Sequence, residues 1–503
     1  MVLLWLFGCG ERGPVAPGKQ TPPTTQSEGA DTLVYADVGT AWGLVDTTDA
    51  EPFPGSGNGI TIADLDEDGL DDVVLARRAG DVWVHLSRGD HFEVSPLGLD
   101  LTGHFAAAID IDGDRHLDLL VGGLLSAGAE QVSLLRGDGA GGFGPVEGFP
   151  TALPMLFGQV LGISGADIDG DRDVDLYVTT LSADYLLVND GEGVFSDQSA
   201  SLDLAAWTQL SWMGLFVDVD GDVAADLFVA NDLQAENVPS RLYVNEGDGA
   251  FDEVSAPLTV NAMGASAFDF DNDSWVDLFI TNTGGDGLYQ NRGDGTWVDV
   301  GQSSGAVGSL TLGQMHLGSA AVDLDNDGWT DIVAAAGRVG NDDAVLALQD
   351  SYEPDSVLLN IGGAFEEAAA DLGVINDGDS RAVATGDLDG DGTLEVIIGA
   401  MGTPSHLFKA PTLAARSLDV ELFGTLSNAY GIGARVEVVA GDRRSTAWIE
   451  TQGGLVGGKP PRAHIGLGGD PIESVTVYWP SGTVQEVSVD PWASGRLRVE
   501  EEG

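Results

Sequence analysis

The chain has a single cysteine among its 503 residues, Cys9, so no intrachain disulfide can form. Basic residues are scarce. Lys and Arg number 21 against 81 Asp and Glu, a formal charge of −60. A surface of that sign repels polyanions, which excludes nucleic acid as a partner. The N-terminal apolar run is too short to cross a bilayer, and no other run is long enough. There is no nucleophile motif, phosphate loop or zinc cluster, and nothing points to an organic cofactor. Disorder is excluded as well, because 43% of the residues are hydrophobic and the aromatics are evenly spread.

What the chain does have is one nine-residue acidic loop, written seven times. Its carboxylates fall at loop positions 1, 3, 5 and 9. They are Asp64, Asp66, Asp68 and Asp72; Asp110, Asp112, Asp114 and Asp118; Asp167, Asp169, Asp171 and Asp175; Asp218, Asp220, Asp222 and Asp226; Asp269, Asp271, Asp273 and Asp277; Asp323, Asp325, Asp327 and Asp331; and Asp387, Asp389, Asp391 and Glu395. The starts lie 46, 57, 51, 51, 54 and 64 residues apart, a period that indicates an array or a propeller. Alternate acids in a tight loop can aim their oxygens at one centre. Four carboxylates plus a main-chain carbonyl suit a hard cation taking about six to eight oxygens, calcium before magnesium. Up to seven structural Ca2+ are therefore expected, and fourteen positive charges from them would still leave about −46.

An EF-hand loop also opens D-x-D-x-D-G, but it needs a Glu at position 12 and flanking helices. Position 12 here is Leu75, Val121, Val178, Val229, Ile280, Ala334 or Ile398, and the residues around it are β-branched or aromatic. Such runs read as strands. A second signature follows in several copies: Leu187-Val-Asn189-Asp-Gly-Glu-Gly-Val-Phe195, Tyr243 to Phe251 and Tyr289 to Trp297 are each strand, Gly turn, strand. A small-residue strand such as Gly162 to Ala166 precedes the loop. Four antiparallel strands in about 50 residues make a propeller blade. The seventh copy stops after Ser405-His-Leu-Phe408, and Val34 to Leu44 resembles Trp297 to Gly305, so the N-terminal strand is expected to complete the last blade. Closure protects otherwise exposed sheet edges. The fold class is all-β: a seven-bladed propeller closed by an N-terminal strand, followed by a small all-β domain.

The repeated D-x-D-x-D-G-x-x-D loops resemble those of the FG-GAP/VCBS family, as in the propeller of integrin α subunits. The resemblance implies calcium ligands at positions 1, 3, 5 and 9. Asn428 to Val436, His464 to Gly468 and Val477 to Gly482 resemble the ASPIC/UnbV domain that follows such repeats, with Leu455-Val-Gly-Gly-Lys-Pro-Pro as a departure. The domains read as 1–8 signal segment, 9–31 tether, 32–410 propeller and 411–503 C-terminal domain.

Position 6 of such a loop favours positive φ, which glycine adopts freely. Gly69, Gly328 and Gly392 supply it, whereas the other copies carry Arg115, Arg172, Val223 and Ser274. Loops one, six and seven are therefore expected to bind most strongly. Loop four is expected to bind weakly or to adopt another backbone. Arg115 and Arg172 are expected to pair with loop carboxylates. Leu6-Phe7-Gly8-Cys9 resembles a lipobox, which makes Cys9 a lipidation site ahead of a Pro/Thr/Gly/Ser-rich spacer. Three Arg-Gly-Asp triplets (Arg88, Arg136, Arg292) read as turn chemistry rather than as a receptor ligand. Trp207 and Trp212 read as packing rather than a sugar platform, and His316 and His464 lack visible catalytic partners. The functional expectation is a non-enzymatic, monomeric, calcium-rigidified module, lipid-anchored outside the cytoplasm or secreted, that binds a protein or glycan. The alternatives are an envelope enzyme working in the propeller channel and an envelope assembly factor.

Overall fold

Each acidic loop leads into a strand whose first residue is the carboxylate at loop position 9: Asp72–Ala76, Asp118–Leu125, Asp175–Thr180, Asp226–Asn231, Asp277–Asn282, Asp331–Ala336 and Glu395–Met401. In the computed structural model each of these strands pairs antiparallel with the strand before its loop. The described residues are 33–503, except 46–58, 78–80, 100, 126–129, 145–159, 181–182, 203–210, 232–238, 255, 257, 259–261, 283–284, 308–314, 338–353, 377 and 402. The lipobox with Cys9, the spacer and Trp207 lie outside them.

The inner strands are Gly59–Ala63, Leu101–Ile109, Val160–Ala166, Ser211–Val217, Ala262–Phe268, His316–Val322 and Asp379–Gly386. Each packs against the next in chain order, and the last packs against the first. Each opens a sheet in which consecutive strands are neighbours, so there are seven blades. In the seventh, the outermost place is taken by the N-terminal strand Ala36–Asp37, in register with Lys409 and Phe408. A one-turn helix, Gly39–Trp42, follows it, just as Gly301–Ser304 follows the outer strand of blade five. The N-terminal strand thus completes the last blade, as the shared pattern of Val34 to Leu44 and Trp297 to Gly305 predicts.

Neighbouring blades are stapled by side chains. Asn189, Asn245, Asn291 and Asn360 stand at the end of the third strand of blades three to six. Each donates its Nδ2 at 2.7–2.8 Å to the position-2 carbonyl of an earlier blade's loop: Ile111, Ile168, Val219 and Phe270 respectively. Ser87 is the counterpart in blade one and donates to the Leu388 carbonyl of blade seven.

The C-terminal domain is a small β-sandwich. One sheet holds Arg462–Gly468, Arg416–Phe423 and Gly495–Glu500, and the other holds Arg443–Trp448, Arg435–Ala440, Ile472–Tyr478 and Val484–Val487. Its core of Leu418, Val420, Val436, Val475 and fully buried Trp479 is continuous with that of the propeller. The continuity comes from the departure in the sequence noted above. Leu455 and Val456 enter the channel and share an apolar cluster with Ile60, Trp212, Met263, Met315 and Leu317 of the blades. Gly457–Gly458 pairs in parallel with Ile60 and Thr61 of the first inner strand. The approach is close because a glycine stands at the contact on each surface. A Cβ on Gly318 would meet the Leu455 carbonyl at 3.3 Å, and one on Gly457 would meet the Val383 carbonyl at 2.6 Å.

Candidate metal centres in the acidic loops

The four carboxylates of a loop are held by its own backbone. Position 1 accepts the N–H of position 6 in every copy, as Asp218 does from Val223 at 3.1 Å. Position 5 accepts from position 7, as Asp273 does from Trp275 at 2.9 Å. Position 9 reaches back to the N–H of position 2, at 2.8–3.1 Å. In loops one to six its second oxygen accepts an N–H from the third strand: Ser87, Gly137, Asn189, Asn245, Asn291 or Asn360. The position-9 residue is therefore a strand clamp as well as a candidate ligand.

These bonds leave the carboxylates crowded. In loops one to four the oxygens of positions 1, 3 and 9 lie within 4.8 Å of one another, and in loop five those of positions 1, 3 and 5 do. Asp64 Oδ1, Asp112 Oδ1 and Asp271 Oδ1 are buried with no hydrogen-bond partner. Buried oxygens of this kind are costly unless something positive meets them. Burial, reinforced by neighbouring carboxylates, pushes Asp118 up to about 7, Asp72, Asp175 and Asp226 to about 8, and Asp277 to about 9. At position 1, Asp110, Asp167 and Asp387 are raised to about 6 and Asp269 to about 7, again chiefly by burial. An all-oxygen donor set with orphaned buried oxygens fits a hard divalent cation. The residues that would hold it are those at positions 1, 3, 5 and 9.

Position 6 departs from the sequence expectation. All seven residues have positive φ, including Arg115 at 72°, Arg172 at 84°, Val223 at 71° and Ser274 at 71°. Loop four therefore keeps the common backbone, with a β-branched residue held where such residues are rarely found. Arg115 and Arg172 do not pair with loop carboxylates. They donate to the Gly424 and Thr425 carbonyls of the C-terminal domain, at 2.7 and 3.5 Å. The same face of the array meets that domain elsewhere. Arg496 donates to Asp64 at 2.8 Å and to the Gly69 carbonyl at 2.8 Å, Ser445 to the Gly328 carbonyl at 3.0 Å, and Ser417 to the Gly392 carbonyl at 3.0 Å. Position 6 and its carbonyl serve domain docking.

Protein cations reach three of the loops. Arg88 pairs with Asp66 and Asp68 at 2.9 and 3.0 Å, and Arg136 with Asp112 and Asp114 at 2.7 and 2.6 Å. Two of the three Arg-Gly-Asp arginines are thereby tied to their own blade. Lys409 pairs with Asp389, with Asp391 at 3.3 Å and with Glu395 at 3.1 Å. Among the described residues, no Lys or Arg pairs with the carboxylates of loops three to six.

Asp71, at position 8 of loop one, was not singled out from the sequence. It is fully buried and takes both guanidinium nitrogens of Arg462, at 2.6 and 2.5 Å. It also accepts the Asp387 N–H of blade seven at 2.9 Å. Arg462 and His464 flank Asp419. Burial would raise that carboxyl, but His464 at 2.8 Å and Arg462 hold it down at about 2. The signal was there: the other copies have Leu117, Val174, Ala225, Val276, Thr330 and Leu394 at that position.

The remaining candidates are buried. Trp212 is 3% exposed and packs in the channel cluster, which removes it as a sugar platform. His316 is buried against Asp286 at 2.6 Å.

Sequence comparison agrees with this geometry. The model of the FG-GAP-like repeat matches residues 64–121, 218–280 and 269–334, the FG-GAP repeat matches 381–406, and the ASPIC and UnbV model matches 424–503. The chain is an FG-GAP-repeat protein that ends in an ASPIC and UnbV domain. It is similar to cartilage acidic protein 1 of Xenopus tropicalis, 27% identical over 316 residues, covering 59% of this chain and 45% of that one. To cartilage acidic protein 1 of Homo sapiens it is 25% identical over 429 residues, covering 69% and 63%. The chain thus spans between about half and two thirds of the length of these relatives. Among solved structures it resembles an Agrocybe aegerita lectin recognising non-reducing terminal N-acetylglucosamine, at a TM-score of 0.40 and 22% identity, covering 62% and 80%. Nothing about function follows from a likeness of that size.

Proposed function

We propose that this chain is a non-enzymatic, extracytoplasmic binding module: a propeller rigidified by calcium that presents its blades to a protein or glycan. The observation that carries this reading is the filled channel. A catalytic propeller would need that space for a substrate, and here Leu455 and Val456 pack in it against blade residues. The acidic loops meanwhile face the C-terminal domain, which suits ions that stiffen the scaffold. Extracellular calcium modules bind with dissociation constants of about 10⁻⁴ to 10⁻³ M, which suits a protein outside the cytoplasm. The repeat and domain matches support the same location. No described helix is long and apolar enough to cross a membrane, and a lipid on Cys9 would provide the anchor. Labelling with a radioactive fatty acid, abolished by Cys9→Ala, tests that anchor. The function itself is tested on a glycan array and on intact cells. Saturable binding that disappears with EDTA and returns with calcium is expected. Turnover of a substrate by the purified protein would overturn the reading.

A further inference from the structure

The seventh loop departs from the repeat in two ways, and the two departures meet. It is the one copy with Glu rather than Asp at position 9. It is also the one copy with a lysine at the third-strand place that faces the loop. That place is fixed by pairing: Lys409 follows Phe408, which pairs with Val396, the residue after Glu395. The same step gives Leu86, Arg136, Val188, Val244, Gln290 and Leu359 in blades one to six.

We propose that loop seven holds no divalent ion, because the Lys409 ammonium stands where the ion of the other copies would stand. An ammonium has three donors. Here they serve three of the four candidate ligands: Asp389, Asp391 at 3.3 Å and Glu395 at 3.1 Å. In the other six loops the second oxygen of position 9 accepts a third-strand N–H. In loop seven the longer Glu395 turns that oxygen to Lys409 instead. Arg136 makes a useful contrast. It touches positions 3 and 5 of loop two from the rim, while Asp118 keeps both backbone clamps and Asp112 Oδ1 stays unpartnered. No oxygen of loop seven is buried without a partner among the described residues. The site is also lidded. Thr412 donates to Asp391 at 2.6 Å, and the Trp42 ring of the closing N-terminal segment lies 5.9 Å from Nζ. A calcium ion needs oxygens at about 2.3–2.6 Å, so ion and ammonium cannot share this centre.

The inference rests on the other loops being cation sites, and the test separates the two ideas. Crystals of the full chain grown with manganese, a calcium surrogate with strong anomalous scattering, locate the ions directly. Peaks in other loops and none among residues 387–395 are expected. The double variant Lys409→Leu, Glu395→Asp restores the pattern of loop six, and it should gain a peak in loop seven and one bound calcium per chain by equilibrium dialysis. A peak in wild-type loop seven with Lys409 swung away would overturn the inference. A variant that folds and gains no ion would also overturn it. If that variant fails to fold, the wild-type map alone decides. No ion in any loop would instead overturn the cation reading of the whole array.

Discussion

Loops five and seven share one nine-residue acidic pattern, save for Glu395 in place of Asp at position 9, and differ in what stands over it. Above loop five is Gln290, whose amide reaches Asp271 without adding charge, and Asp271 Oδ1 is left buried and unpartnered. Above loop seven is Lys409, which meets three carboxylates with one ammonium. The acidic motif therefore specifies a shape before it specifies a ligand. Within the loop its carboxylates bond the same backbone amides in both copies. What neutralises them is decided by a residue 13 or 14 positions further on in the chain. A motif search sees two equal sites, whereas the charge balance makes them different.

The largest expected effect comes from stripping divalent ions. With sites saturated at roughly 10–100 times Kd, each contributes about 1.4–2.7 kcal/mol, so EDTA should lower Tm on the order of 10 °C. An unchanged calorimetric Tm would remove the difference between the two loops. Next is Asp71→Ala beside loop seven. It leaves Arg462 buried without its carboxylate and should cost about 3–5 kcal/mol by denaturant midpoint, with or without calcium.

The pH dependence of the ion-free protein sharpens the comparison further. Asp277 titrates near 9 when folded and near 4 when unfolded, so the folded state holds more protons between those values. Its contribution is present below the unfolded pKa and is lost as pH rises through 9. Tm of the stripped protein should fall steadily across that window, and calcium or Asp277→Asn should flatten the curve. A rise in Tm with pH would contradict the burial described for these groups. Asp271→Asn should then remove about 1–2 kcal/mol of the calcium-dependent stabilisation alone, while Asp389→Asn should change only the calcium-independent part. The smallest effect is expected in loop four, where Val223→Gly relieves a β-branched residue at φ 71° and should raise stability by about 1 kcal/mol.

Much of the architecture was legible because the chain repeats it. The period gave the blades, the β-branched runs excluded an EF-hand, and the likeness of Val34 to Trp297 gave the closing strand. The clustering of the loop carboxylates was legible for the same reason. What was hidden was non-local. The residues that answer position 6 are Gly424, Thr425, Ser445 and Ser417 of the other domain, and no local pattern announces them. Position 6 therefore looked like a question of metal affinity when it is also one of docking. Asp71 and Lys409 were visible in principle, Asp71 as the one charged residue in its column and Lys409 as the one lysine in a column that also holds Arg136 and Gln290. Aligning the copies by the acidic motif exposes the first, and aligning them by strand register exposes the second.

The closing strand and the channel segment also impose an order in time. Residue 36 has no β partner until residue 409 exists, and the channel is not filled until Leu455 arrives. Nearly the whole chain must be made before either contact can form, and contacts of such sequence separation form slowly. A half-made propeller would present bare sheet edges and an empty apolar bore for the duration of synthesis and export. Any cell that secretes this chain therefore has to keep it from aggregating until its last hundred residues have emerged, and that is where a chaperone requirement should be sought.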